Sequence, residues 1–158
     1  MSEYVPVIRD ALVADQRPLV RSAQDVRELV GPDMAELAQE QMRVILLSTR
    51  LAVIDVVTVY QGTIDTCLVR QAELFRPAIL QNAPSIILVH NHPSGDAKPS
   101  AEDRAMTEQA REAGAILQIG VLDHVIVARS GAVSLRELMP WSISTGPTGT
   151  QLGGGATS

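Results

Sequence analysis

Two histidines, His90 and His92, flank a single asparagine, and Pro93 follows them directly. In extended chain, residues two apart project to the same side, so the two imidazoles can converge on one point. Pro93 favours that geometry by holding His92 in the extended region. Neutral imidazole is a good zinc ligand, and two from one rigid segment make half of a tetrahedral site. A catalytic zinc takes three protein ligands and leaves a fourth position for water, so a nearby carboxylate is needed. Asp103 can supply it, because the loop containing Ser94, Gly95 and Asp96 can fold the next helical turn back over the histidines. Ser100-Ala101-Glu102-Asp103 also fits a capping box, in which Asp103 ties down the helix start. Asp96 is the competing ligand, although it stands beside Gly95 in a turn, where Asp is common for backbone reasons.

Such a site needs a buried strand to aim the histidines and a helix to bring the carboxylate. Residues 85–89 form a short apolar run typical of a strand buried on both faces, delivering the chain into a loop over 90–99. Residues 100–113 read as a polar helix ended by Gly114, followed by strands at 116–121 and 125–128 and a last one at 133–135. Upstream, Ser22 caps a helix of about two turns through Val26, Leu29 and Val30, which Gly31-Pro32 stops. The β-branched runs 42–47 and 52–60 read as a hairpin, ended by Gln61-Gly62-Thr63. Residues 69–81 read as a helix that Pro77 should kink or delay, closed by Asn82 and Pro84. Helices interleaved with strands imply an α/β or α+β fold, a sheet covered by helices around one core.

The 158 residues suit one domain, with 1–21 as an N-terminal arm, 22–141 as the folded unit and 142–158 as a Gly/Thr/Ser-rich tail. The Gly153-Gly154-Gly155 run lacks the Lys-Ser or Lys-Thr of a phosphate loop. Thirteen Lys and Arg against eighteen Asp and Glu give a net charge of -5, the wrong sign for coating a phosphate backbone. Tyr4, Tyr60, Phe75 and Trp141 are too few to stack several bases. The single cysteine, Cys67, cannot form an internal disulfide and reads as a small buried residue in a reducing compartment. The sequence carries neither a signal-peptide pattern nor about 18 uninterrupted apolar residues, so a cytoplasmic protein with no membrane partner is expected. Oligomeric state is left open.

His90, His92, Pro93, Ser100 and Asp103 together resemble the JAMM motif of the JAB/MPN metalloenzymes, and every position of that signature matches at its spacing. The resemblance narrows to the RadC-like branch on residues 90–96, Gly62-Thr63 and Leu122-Asp123-His124, and spans about residues 22–139. It departs at Arg70-Gln71, where many relatives have His-Pro. It implies the cytidine deaminase-like α-β-α sandwich of JAB/MPN domains, with a mixed β-sheet flanked by helices. It also implies a Zn2+ cofactor and a metallopeptidase or isopeptidase activity on a protein or peptide amide. By the same resemblance Glu40 takes the place of the general base, although locally Glu36 and Glu73 look no different. Ser100 takes that of a hydroxyl donor to the oxyanion, besides its reading as a helix cap. His124 and Asp123 read as hydrogen-bonded structural residues, and Asn91 is assigned to bonding within the loop.

Two other readings compete. One is the DNA-repair accessory role historically attached to the RadC name, against which the acidic balance weighs. The length also leaves no room for the helix-hairpin-helix region of long RadC proteins, so DNA attachment by that route is not expected. The other is a non-catalytic, metal-bound interaction module. An HNH nuclease reading of His-Asn-His fails, because that motif's letters are spread over a much longer ββα unit.

Overall fold

The computed structural model describes residues 16–62 and 69–141. Residues 1–15 of the N-terminal arm, Thr63, Cys67 and the 142–158 tail lie outside the described residues. The elements follow in the order α1 (Ala23–Met34), β1 (Gln41–Leu47), β2 (Val53–Gln61), α2 (Gln71–Leu80), β3 (Ser85–Asn91), α3 (Ala101–Leu117), β4 (Gly120–Ala128), β5 (Gly131–Ser134) and α4 (Leu135–Leu138).

The strands form one five-stranded sheet in the order β2-β1-β3-β4-β5. All neighbours are antiparallel except β3 and β4, which α3 joins by a crossover. Residue parity divides the core between the faces. Met42, Val44 and Leu46 of β1 and Ile86 and Leu88 of β3 pack with Leu74 and Phe75 of α2 and Met106 and Ala110 of α3. Ile45 and Leu47, with Ile87 and Val89, pack instead with Val26, Val30 and Met34 of α1. The result is a mixed sheet with helices on both faces.

The β1–β2 hairpin forms as the sequence predicts, and Asn82 follows α2 with a left-handed φ of 53°. Several boundaries differ. Gly31-Pro32 does not stop α1, which runs on to Met34 with Pro32 inside it. Proline's fixed φ suits a helix, and the lost hydrogen bond near the end is offset by burying Met34 completely. The separate strands expected at 116–121 and 125–128 are one strand, β4, while Ile116 and Leu117 belong to α3. Leu135 opens α4, capped by Ser134, where a strand end is expected. β3 runs two residues beyond 89, so His90 and Asn91 are strand residues and not loop.

Gly114 is the clearest reversal. It lies inside α3, and the helix ends instead at Gln118, whose φ is 58°. A Cβ at position 114 would sit 2.5 Å from the carbonyl oxygen of Ile119 and 3.1 Å from Val121 Cγ2. Glycine is there because backbone and strand approach too closely for a side chain. In an open helix Gly→Ala would stabilise by about 1 kcal/mol. Here Gly114→Ala is expected to destabilise by about 1–3 kcal/mol, read as a lower urea midpoint, with the sign separating the two explanations.

Candidate metal centre

β3 is buried along its whole length and carries His90 out of the core on the α2/α3 face, 3% exposed. His92, half-buried, follows two residues later and points to the same side, so the two Nε2 atoms stand 3.0 Å apart. The chain then turns back at Gly95, whose φ of 91° favours glycine. Its N–H donates to the His92 carbonyl at 3.1 Å. That turn brings the Asp96 carbonyl to accept from His92 Nδ1–H at 3.0 Å. The Asp96 carboxylate accepts the Lys98 N–H at 3.0 Å. Of the two competing acids, Asp96 therefore serves the loop.

Asp103 forms the capping box and also stands where a third ligand would be needed. Its Oδ2 accepts the Ser100 N–H at 2.8 Å while Ser100 Oγ accepts the Asp103 N–H at 3.0 Å, a complete capping box at the start of α3. The same carboxylate faces the histidines, with Oδ1 at 3.1 Å from His90 Nε2 and Oδ2 at 3.2 Å from His92 Nε2. One ligand atom from each of the three residues lies within 4.8 Å of the others. Burial pushes the Asp103 carboxyl up, but hydrogen bonds from His90, His92 and the Ser100 backbone outweigh it and hold the group well below the usual range. The Asp103 hydrogen bond also raises His92 above the ordinary imidazole value, opposed by burial and assisted by the Asp96 carbonyl and by the charges of Asp103 and Glu40.

The spacing fits a tetrahedral metal. Two ligand atoms each about 2.0–2.1 Å from zinc would stand about 3.3 Å apart at the tetrahedral angle. The two Nε2 atoms, 3.0 Å apart, and the pair His90 Nε2 and Asp103 Oδ1, 3.1 Å apart, lie within a few tenths of that distance, while the 3.2 Å contact of His92 Nε2 is to the other carboxylate oxygen, Oδ2.

Behind His90 lies a buried polar chain. His90 Nδ1 is 2.8 Å from His124 Nε2, and His124 Nδ1 is 2.7 Å from Thr107 Oγ1. Thr107 in turn donates to the Asp103 carbonyl at 2.6 Å. His124 is fully buried, and burial first, then the charge of His90, pushes its pKa well below the usual value. Asp123 accepts from the His124 N–H at 2.7 Å, the Ser134 hydroxyl at 2.7 Å and the Arg136 N–H at 3.1 Å. It fastens β4 to the β5–α4 junction. Thr107 belongs to no motif; its one signal is its place four residues after Asp103, on the same side of the helix.

Glu40 is half-buried and precedes β1 directly. Met42 pairs with His90, so continuing the antiparallel register sets Glu40 opposite His92. Asn91 does more than bond within its loop. Its Oδ1 accepts the Gln41 N–H at 2.7 Å and its Nδ2 donates to the Gln39 carbonyl at 3.0 Å, holding the chain on both sides of Glu40. Glu73 sits instead against the Tyr60 hydroxyl. Ser100 is exposed, and among the described residues its hydroxyl donates no hydrogen bond, which leaves that proton for a ligand.

Among the described residues no helix is long and apolar enough to cross a membrane. The profile of the RadC-like JAB domain matches residues 20–139. A UPF0758 protein of Roseiflexus sp. (strain RS-1) is 47% identical over 123 residues, covering 78% of this chain and 53% of the relative. A UPF0758 protein of Symbiobacterium thermophilum is 47% identical over 112 residues, covering 71% of this chain and 48% of the relative. One from Desulfitobacterium hafniense (strain DSM 10664 / DCB-2) is 43% identical over 121 residues, 77% of this chain and 53% of the relative. The chain thus spans about half the length of the curated relatives it matches.

Proposed function

Because the chain belongs to the RadC-like JAB domain family, we propose that it is a zinc-dependent hydrolase that cleaves an amide bond in a peptide or an isopeptide-linked protein. The observation that carries this reading is the convergence of His90 Nε2, His92 Nε2 and the Asp103 carboxylate. Two imidazoles and one carboxylate are the donor set of a catalytic zinc. Zinc held there supplies a Lewis acid that lowers the pKa of water toward about 7 and polarises the substrate carbonyl. Glu40 takes a proton from the attacking water as its oxygen bonds to the carbonyl carbon, and returns it to the amine nitrogen as the C–N bond breaks. Ser100 turns its uncommitted hydroxyl proton toward the carbonyl oxygen as negative charge builds there.

The test begins with metal analysis of the purified protein, where about one zinc per chain is expected and His90→Ala should lose it. The zinc-loaded protein is then incubated with a peptide and conjugate library, and new amino termini are counted. Chelation should abolish cleavage and added zinc restore it. Unaltered zinc content in His90→Ala would remove the ligand assignment. Zinc-loaded protein that cleaves nothing yet gives a salt-sensitive gel shift with duplex DNA would move the assignment to the DNA-repair accessory role.

A further inference from the structure

We propose that His124 and Thr107 act as a positioning pair that fixes which nitrogen of His90 faces the metal, an inference that rests on the zinc reading above. The hydrogen-bond chain has a single polarity. The Asp103 carbonyl can only accept, so the Thr107 hydroxyl, 2.6 Å away, commits its one proton there. The same oxygen lies 2.7 Å from His124 Nδ1 and can now only accept, so that nitrogen carries the hydrogen. A fully buried imidazole whose ring partners are a hydroxyl and another imidazole stays neutral. His124 Nε2 therefore presents a lone pair and accepts from His90 Nδ1–H at 2.8 Å. With zinc in place of the proton that Nε2 otherwise shares with Asp103, the lone pair of His90 would be left on Nε2, the atom 3.0 Å from His92 Nε2 and 3.1 Å from Asp103 Oδ1.

His92 reaches the same state more directly, through Nδ1–H to the Asp96 carbonyl. His90, at the end of a buried strand, reaches a carbonyl only through two side chains. That carbonyl belongs to Asp103, so the connections close on themselves: Asp103 carboxylate, His90, His124, Thr107 and back to the Asp103 main chain. The ring is built from β3, β4 and the first two turns of α3, and it ties the orientation of one imidazole to the helix that carries the acid. Outer partners of this kind orient the ligand and raise its basicity.

The experiment measures zinc affinity of the full chain, loaded from the metal-free state against a chromophoric chelator. His124→Leu removes the acceptor, Thr107→Val removes the hydroxyl while keeping its shape, and His124→Gln offers an amide oxygen opposite His90 Nδ1. His124→Leu should bind zinc about 10–100-fold more weakly, Thr107→Val should fall between it and wild type, and His124→Gln should recover most of the loss. The Nδ1–H proton of His90, followed by NMR in the zinc-loaded protein, should exchange slowly with solvent in wild type and His124→Gln, and quickly in His124→Leu. Should His124→Leu fail to fold, Thr107→Val decides alone. Wild-type affinity in Thr107→Val and His124→Leu, however much their melting temperatures drop, overturns the pairing. His124→Gln binding as poorly as His124→Leu overturns the acceptor role. A wild-type protein that takes up no zinc overturns the zinc reading itself and this inference with it.

Discussion

Glu40→Gln is expected to keep its zinc and to lose amide hydrolysis by about a hundredfold to ten-thousandfold, the usual contribution of a positioned general base. The substitution changes one atom, and the cluster of His90, His92 and Asp103 does not include Glu40. Metal content should therefore stay at the wild-type level. The backbone around Glu40 is held through the peptide groups of its neighbours, not through its own side chain. Packing and thermal stability should change little. Because the lost interaction acts on the proton in flight, kcat and kcat/KM should fall together. Metal analysis and single-substrate kinetics on the same preparation check this; activity within threefold or so of wild type would reject Glu40 as the base.

Asp103→Ala should have the largest effect on metal binding, because it removes a ligand and a helix cap in one step. The loss of zinc affinity should exceed the roughly 10–100-fold expected of an outer partner. The metal-free protein should also lose about 0.5–2 kcal/mol, since the Ser100 N–H is left without its acceptor at the start of α3. Asp103→Asn separates the two roles. Its amide oxygen can still accept from Ser100, whereas a neutral amide is a poor zinc ligand. Calorimetry of the metal-free proteins should place Asn above Ala, because Asn keeps the acceptor for Ser100 and loses only the carboxylate's bonds to the histidines, while zinc titration should place both far from wild type. If Asp103→Asn bound zinc as tightly as wild type, the carboxylate would be a cap and nothing more.

The candidate site was legible in the sequence to the extent that it is local. His90, His92, Ser100 and Asp103 lie within one strand end, one loop and one helical turn, so two short periodicities suffice to bring them together. The parts that could not be read depend on distant partners. His90 and Asn91 look like loop because they are polar, yet they stay in a buried strand with bonds to residues 34 and 50 positions away. Asp123 and His124 split β4 in a reading of apolar runs for the same reason, their polar atoms being satisfied by Ser134, Arg136 and Thr107. Gly114 misleads differently. Glycine is common just past a helix end, and only the three-dimensional approach of Ile119 reveals a packing requirement instead.

The Asn91 side chain has a consequence for how the sheet zips up. A one-residue slip of β1 along β3 would turn core side chains to the opposite face and be rejected at once. A two-residue slip keeps every side chain on its own face, and the aliphatic interior discriminates weakly against it. The Asn91 amide can bridge only the peptide groups either side of a single residue, and in the native alignment that residue is Glu40. In the observed alignment it clamps the main chain on both sides of this acid, so that Glu40 is held across from His92 by a side chain of the same strand end that carries the histidines.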